Sequence, residues 1–365
     1  MTAIETRARD LPEGDALARA WRELEARAEP GFFLTWDWIG AWLMASGLRP
    51  RLLEARAQGR LVGLALWQPA RQRRHGLFVS RRLLLHEAGE PAIDAAAIEY
   101  NGVLAERGRE SAVLRAMLEH LVAGADPALP AWDELRFGGV PAAYGSALAD
   151  TGLDVHVASR SRATVVDLAA LRAGGRSFLA SLSANSRQQI RRAIRHYEAT
   201  GPLTIAAARD RDEALGQFAE LAALHEATWR RRGKAGAFAR PFVGTMHRQL
   251  IAESFASGAV ELLRIAAGQQ TVGYLYNFLH RGWVGAYMSG FRYQDDAKAK
   301  PGLVSYALAI ERHAALGNRV FDFLAGESRY KASLGGPGAE LVWFDLQHPR
   351  LAFRIERGLR RLRRI

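Results

Sequence analysis

The chain has 365 residues, 49% of them hydrophobic, with no cysteine and a formal net charge of +12. That length exceeds one ordinary core and points to two globular domains, and the missing thiols exclude disulfides, cysteine nucleophiles and cysteine-bearing zinc sites. Residues 350–365 hold seven arginines and one glutamate, half of the excess charge, so the body is only mildly basic.

The first thirty residues are charged and interrupted and carry no apolar h-region, so a cytoplasmic protein without a signal peptide is expected. No apolar run approaches the length of a membrane span. A tryptophan-bearing helix, "TWDWIGAWLMAS" (35–46), leads into "RLLEARAQGRLVGLALW" (51–67), which reads as strand, glycine turn, strand. A helix (109–123) and a strand, "WDELRFGG" (132–139), follow. The same order recurs later. "ELLRIAAGQQTVGYLYN" (261–277) aligns with 51–67 without gaps at an offset of 210, matching Leu52 to Leu262, Val62 to Val272 and Gly63 to Gly273. A helix with a tryptophan (218–233) precedes it, and a helix (302–317) and a strand (319–326) follow. A duplicated α/β unit with mixed sheets is expected: domains at 1–160 and 161–345, a linker near 158–163, and a basic amphipathic tail at 346–365.

Early in the second half lies "SANSRQQIRRAIRHYEATG" (183–201), with a serine start and a Gly-Pro stop typical of a helix. At 100° per residue, Arg187, Arg191 and Arg195 form one stripe beside an apolar face of Ile190, Ile194 and Tyr197. A helix docked along its apolar side, with arginines at the edge, suits a cleft that grips phosphate or carboxylate. No helix-turn-helix, zinc-finger or RNP pattern accompanies it, so DNA is not expected as a partner. His225 and Trp229 share a helix face, as candidates for substrate contact or as packing, beside a glycine- and arginine-rich segment (230–241) that reads as a mobile lid. The loop "RYQDDAKAKPG" (292–302) connects a strand to a helix N-terminus. Lys298, Lys300, Gly302 and Ser305 are its candidates for holding phosphate. In "FDFLAGESRYKASLG" (321–335), Asp322 and Glu327 are candidate bases, Tyr330 a candidate acid, and Lys331 a candidate for an anionic acceptor. The ten histidines show no metal-binding spacing, and no metal is expected.

Three stretches, "LSANSRQQIRRAIRHYE", "LHEATWRRRGKAGAF" and "FDFLAGESRYKASLG", with "GFFLTWDWIGAWL" (31–43), resemble the CelD-like or BioF2-like group of GNAT acyltransferases. The doubled pattern is similar to the FemAB-type transferases. The resemblance spans about residues 30–345. It implies two tandem GNAT-like domains, the second catalytic and the first a degenerate scaffold, and direct transfer of an acyl group from acyl-CoA to an amine acceptor, a small molecule or a cell-envelope component. The glycine-rich phosphate loop usual in GNAT enzymes is represented here by "DAKAKPGLVSYA", with one glycine, so aminoacyl-tRNA stays open as donor. A non-catalytic scaffold in polysaccharide or envelope biosynthesis is a further reading. The tail places Leu351, Ile355, Leu359 and Leu362 at helical spacing among arginines. Docking on the body, clamping a polyanion and peripheral contact with an anionic membrane at its inner face are all compatible with that pattern.

Overall fold

The computed structural model describes residues 3–74, 77–296, 298–326 and 328–362. The fold is mixed α/β, and its contacts divide into a first unit, residues 1–160 with 340–365, and a second, 161–339. The first unit contains β1 (Ile4–Arg9), α1 (Ala16–Glu25), α2 (Trp36–Ser46), β2 (Arg51–Ala57), β3 (Arg60–Arg74), β4 (Phe78–Leu85), β5 (Leu104–Ala105), α3 (Glu110–Ala123), β6 (Glu134–Pro141) and α4 (Tyr144–Ala149). Strand β7 (Asp154–Asp167) passes into the second unit, which continues with α5 (Leu168–Ala173), α6 (Phe178–Ser181), α7 (Ala184–Glu198), β8 (Leu203–Ala207), α8 (Arg211–Arg231), α9 (Pro241–Ser254), β9 (Val260–Ala267), β10 (Gln270–His280), β11 (Trp283–Phe291), α10 (Pro301–Ala315), β12 (Val320–Asp322) and α11 (Arg329–Ala332). Strand β13 (Gly336–Gln347) returns the chain to the first unit, where α12 (Leu351–Leu362) closes it.

The two units repeat one strand order. In the first, β1, β2, β3 and β4 pair antiparallel in succession, β4 pairs parallel with β6, and β6 pairs antiparallel with β13. In the second, β8, β9, β10 and β11 pair antiparallel, β11 pairs parallel with β12, and β12 pairs antiparallel with β7. The matched hairpins share a finer feature. Their ladders slip by one residue between Ala55 and Arg56 and between Thr271 and Gly273, leaving Val62 and Val272 as the extra residues. These are the two valines that the offset of 210 superimposes. A bulge at one equivalent residue in both halves is a stronger mark of duplication than two hairpins alone.

One boundary differs from the sequence reading, and the expected linker is a strand. Residues 158–163, expected as a linker, form the middle of β7, where Ser159, Arg160, Ser161 and Arg162 run consecutively in a strand flanked by Val155, Val157, Thr164 and Val165. The chain rejoins the first unit at residue 340 because Leu341 pairs with Pro141 there, so the second unit stops short of residue 345. The tail is helical and rests on the first unit through Phe353, buried against Phe78.

The arginine-rich segment forms α7 as its pattern predicts. The Ser183 hydroxyl accepts the Ser186 N–H at 3.2 Å and caps the helix, and Ile190, Ala193 and Tyr197 are buried in a core with Val304, Ala307 and Ile310 of α10. In the first unit α3, the counterpart of α10 in the repeated order, packs Val113, Met117 and Leu121 on the sheet.

The first core also holds His86, fully desolvated, whose pKa is lowered to about 4 by burial. Its Nε2 accepts the Leu66 N–H at 3.0 Å and its Nδ1 faces Asn101 Oδ1 at 2.9 Å, so the neutral ring carries its proton on Nδ1. A histidine whose folded pKa lies below its unfolded value contributes stability above the unfolded pKa, near 6.5, that is lost as pH falls toward 4. We expect roughly 2 kcal/mol of this loss between pH 6.5 and pH 5. Urea midpoints at the two pH values should differ by less in His86→Gln than in the native chain, and an equal difference would refute the assignment.

Candidate active site

The second sheet opens at one place. Parallel pairing of β11 with β12 covers only Trp283–Val320, Val284–Phe321 and Gly285–Asp322. Beyond that pair β11 runs on to Phe291 while the other strand leaves the sheet. The free edge of β11, residues 286–291, therefore faces a wedge-shaped gap. Strand β11 carries a further irregularity here. Tyr276 pairs with Met288 and Asn277 with Ala286, so Tyr287 is an extra residue outside the ladder.

The apex of the gap is tightly fastened. Asp322 is buried; its Oδ2 accepts the Trp283 indole N–H at 3.0 Å and its Oδ1 accepts the Leu324 N–H at 2.7 Å. The Trp283 ring lies where a Cβ on Gly285 would stand, so only glycine lets the indole cross its own strand to Asp322. Leu324 takes φ +61°, a left-handed conformation that a branched side chain rarely adopts and that is held here from both sides. Lys331 Nζ donates to the carbonyls of Leu324 at 3.3 Å and Ala325 at 2.9 Å, and Gly326 N donates to Ser161 Oγ at 2.8 Å. Asp322 and Lys331 thus hold the loop, and the geometry does not present Asp322 as a base. Glu327 lies outside the described residues.

The walls of the gap come from three helices. On α10, Tyr306 is buried, with its hydroxyl facing Ser289 of β11 and Tyr330 of α11. The rings of Tyr306 and Tyr330 stack at 5.9 Å with 17° between planes. Tyr330 remains 42% exposed and Tyr293 40% exposed, so both phenols stand at the rim. Burial raises the pKa of Tyr330 and keeps it protonated at neutral pH. From α8, His225 Nδ1 donates to the Ser289 carbonyl at 3.2 Å. That bond fixes the tautomer and leaves Nε2 as an acceptor, a buried atom with no hydrogen-bond partner among the described residues. Burial lowers the His225 pKa, so the ring is neutral at pH 7. Trp229 packs beside it at 5.9 Å and takes the Arg232 guanidinium over its face at 5.5 Å.

The segment expected as a mobile lid is latched onto α8. Phe238 stands edge-on to His225 at 5.4 Å, and its N–H donates to Glu226 Oε1 at 3.1 Å. A Cβ on Gly236 would collide with the same Glu226 carboxylate.

The loop before α10 is built differently from its sequence reading. Lys298 is exposed, and Lys300 stands at the N-cap position without a side-chain capping bond. Gly302 faces the Phe291 ring, and a Cβ on it would stand 3.2 Å from that ring, so its small size serves packing. Ser305 is fully buried with its hydroxyl unpaired among the described residues, away from the first turn. Asp296 Oδ1 accepts the Lys298 N–H at 2.7 Å, and Asp296 lies 3.6 Å from His196 and close to Arg192, which together hold its carboxyl below the usual range. It is therefore the Arg192–His196 side of α7 that faces this loop. Arg187 turns to the Ala180 carbonyl at 3.3 Å, while Arg191 and Arg195 are exposed, with no ion pair among the described residues. Arg192, His196, Ser289 and Tyr306 were not singled out by sequence. The i, i+4 spacing of Arg192 and His196 was a legible signal, whereas Tyr306 sits on an apolar helix face and reads as core.

In the first unit the corresponding gap is closed. Strands β4 and β6 part after Leu84–Arg136, and Asn101, 1% exposed, fills the fork. Its amide donates to the Leu85 carbonyl at 2.8 Å and the Gly138 carbonyl at 3.0 Å, and its own N–H reaches the Gly139 carbonyl at 3.0 Å. The stretch "IEYNGVL" is thus a plug.

Comparison with known proteins agrees with this architecture. Residues 184–332 match a family described as an acetyltransferase (GNAT) domain. Among solved structures, FemX is 12% identical with a TM-score of 0.60, over 95% of this chain and 100% of that one. L-PGS from Bacillus licheniformis is 10% identical with a TM-score of 0.53, over 96% of this chain and 98% of that one. The C-terminal domain of a putative lysylphosphatidylglycerol synthetase from Agrobacterium fabrum is 10% identical with a TM-score of 0.52, over 91% and 92%. No curated protein matches the sequence. The fold is GNAT-like, with the FemAB-type architecture. Among the described residues no group of three or more histidine, aspartate or glutamate side chains could hold a metal ion.

The plug yields a direct expectation. Asn101→Leu would strand the Leu85 and Gly138 carbonyls in a dry fork at a cost of roughly 2–4 kcal/mol. Urea denaturation followed by the first unit's tryptophans should register that loss, and a change below about 1 kcal/mol would show the fork to be held by other means.

Proposed function

We propose that this protein is an N-acyltransferase that works at the open fork of its second unit, moving an acyl group from acyl-CoA to a small-molecule or cell-envelope amine in a ternary complex. The observation that carries the reading is the contrast between two equivalent forks. One is filled by Asn101, and the other is lined by a neutral histidine, two phenols and a free strand edge. A duplicated fold retained that opening in one copy only.

The residues divide the chemistry in a simple way. His225 Nε2, a lone pair in a dry wall, takes the proton from the attacking amine. Backbone N–H groups on the free edge of β11, where Tyr287 leaves the ladder, face the carbonyl oxygen as negative charge develops on it. Tyr330 supplies a proton to the departing thiolate, and Tyr306 aligns its hydroxyl. No covalent relay is needed, and the chain has no cysteine to provide one. Arg192, Lys298 and the start of α10 lie where the phosphates of the donor would extend along the helix N-terminus. Asp296 competes for that charge, so donor phosphates must displace it from the Lys298 N–H.

One experiment separates the donors. Calorimetry with acetyl-CoA, a longer acyl-CoA and aminoacyl-tRNA should give saturable binding to the CoA thioesters. Binding of aminoacyl-tRNA alone would favour an aminoacyl-tRNA-dependent transferase, and binding of neither would favour a scaffold.

Two variants test the assignment of roles. His225→Gln and Tyr330→Phe should each lower turnover by about 10²- to 10⁴-fold with the fold intact. The rate profile should be level through neutrality. Its acid limb should fall below pH 6.5, since burial lowers the His225 pKa, and its alkaline limb above pH 10, since burial raises that of Tyr330. An acid limb above pH 7 would remove His225 as the base. Arg192→Ala should weaken acyl-CoA binding by about 10-fold or more, whereas Arg191→Ala should change it little; the reverse order would return the role to the outer arginine stripe.

A further inference from the structure

Four large apolar side chains stand in solvent around a single contact of the first unit. Phe78 of β4 meets Phe353 of α12 edge-on at 5.3 Å. Flanking Phe78, Leu77 is 52% and Val79 56% exposed; two residues either side of Phe353, Leu351 is 69% and Ile355 51% exposed. The helix is held from below. Phe353 and Glu356 are buried, the Arg74 guanidinium lies 5.9 Å from the Phe353 ring, and Arg74 reaches Glu356 at 3.9 Å. Leu351 and Ile355, about 200° around the helix from Phe353, therefore face away from the body.

Positive charge surrounds this apolar tip. Arg350 and Arg354 flank the helix side, and Arg71, Arg73 and Arg81 share the solvent face of the β3–β4 hairpin with Val79. Arg71 stands directly opposite Arg81 across the ladder, and Arg73 opposite Val79. Like charges placed opposite each other weaken a hairpin unless an anion covers them. Asp133 answers Arg81 and Arg350, and no other ion pair to these five arginines is seen among the described residues.

We infer that the hairpin end and α12 together form a docking surface for an anionic lipid bilayer. Apolar tips enter the headgroup boundary while the arginines meet lipid phosphates. A second copy of this chain would bring the same arginines against their equals. A nucleic acid would engage the arginines and gain nothing from four exposed aliphatic side chains. The surface lies in the first unit and acts whatever the second unit transfers. No helix among the described residues is long and apolar enough to cross a membrane, so contact of this kind would be peripheral.

The test is co-sedimentation of the full chain with vesicles of phosphatidylcholine alone or with about one-third phosphatidylglycerol. Binding is expected only to the anionic vesicles and should weaken as salt is raised. Leu77→Gln with Val79→Gln, and separately Leu351→Gln with Ile355→Gln, should each lower the partition coefficient about tenfold. Unchanged thermal midpoints would show that both double variants are folded, since these side chains are exposed. Failure of the native chain to bind anionic vesicles overturns the inference. So does full binding by both variants, which would leave a purely electrostatic polyanion surface. Dimers in sedimentation velocity that the variants dissociate would also overturn it, in favour of self-association. Vesicle binding needs no acyl donor, so its failure leaves the proposed transfer reaction standing, and failure of that reaction leaves this surface standing.

Discussion

Everything at the candidate site depends on where parallel pairing stops. Three residue pairs join β11 to β12, and the last, Gly285–Asp322, is fixed by a side chain crossing its own strand. Trp283 reaches Asp322 only because Gly285 lacks a Cβ. Once Asp322 is engaged by the indole and by Leu324, the chain must turn out of the sheet, and the β11 edge beyond is left without a partner strand. A free strand edge is ordinarily a hazard for a protein. Here helices α8 and α10 pack against the strand that carries it.

The first unit shows what the same frame does without that requirement. Its fork is bridged by one asparagine whose side chain meets both strand ends, and His86 locks Asn101 in place from the other side. Burying so many hydrogen-bonding groups in one place is tolerated because each is paired. The second unit leaves His225 Nε2 buried without a partner among the described residues. An unpaired polar atom in a dry wall costs stability, and such costs concentrate at sites where a ligand group will later complete the bond.

Charge follows a similar division. The arginine stripe that dominates α7 in sequence turns largely to solvent, while the less conspicuous Arg192 and His196 meet the loop before α10. At the far end of the chain, Arg81 and Arg350 neutralise the buried Asp133, while Arg71, Arg73 and Arg354 stand around a protruding apolar tip without an ion pair among the described residues. The formal charge of the protein is therefore spread over functions that its total does not reveal.

The sequence by itself determined the duplication, the order of elements along the chain and the docking face of α7. These rest on local patterns: alternation along strands, helical spacing, capping serines and turn glycines, all set by backbone geometry within a few residues. Of the residues it singled out, Tyr330 and His225 both reach Ser289 of β11, directly or through Tyr306, and the loop at 292–302 follows that strand. Only the tertiary structure decided the roles. Asp322 and Lys331 look like reactive groups in a list of residues, but folding brings an indole, a strained leucine and two carbonyls against them. Tyr306 looks like core because its helix face is apolar, yet its hydroxyl ends beside Tyr330 across the gap. Gly302 looks like a phosphate glycine and proves to be a seat for Phe291. The physical reason is common to all four. A side chain's chemistry is set by which partners saturate it, and those partners come from strands and helices distant in sequence, where no local pattern records them.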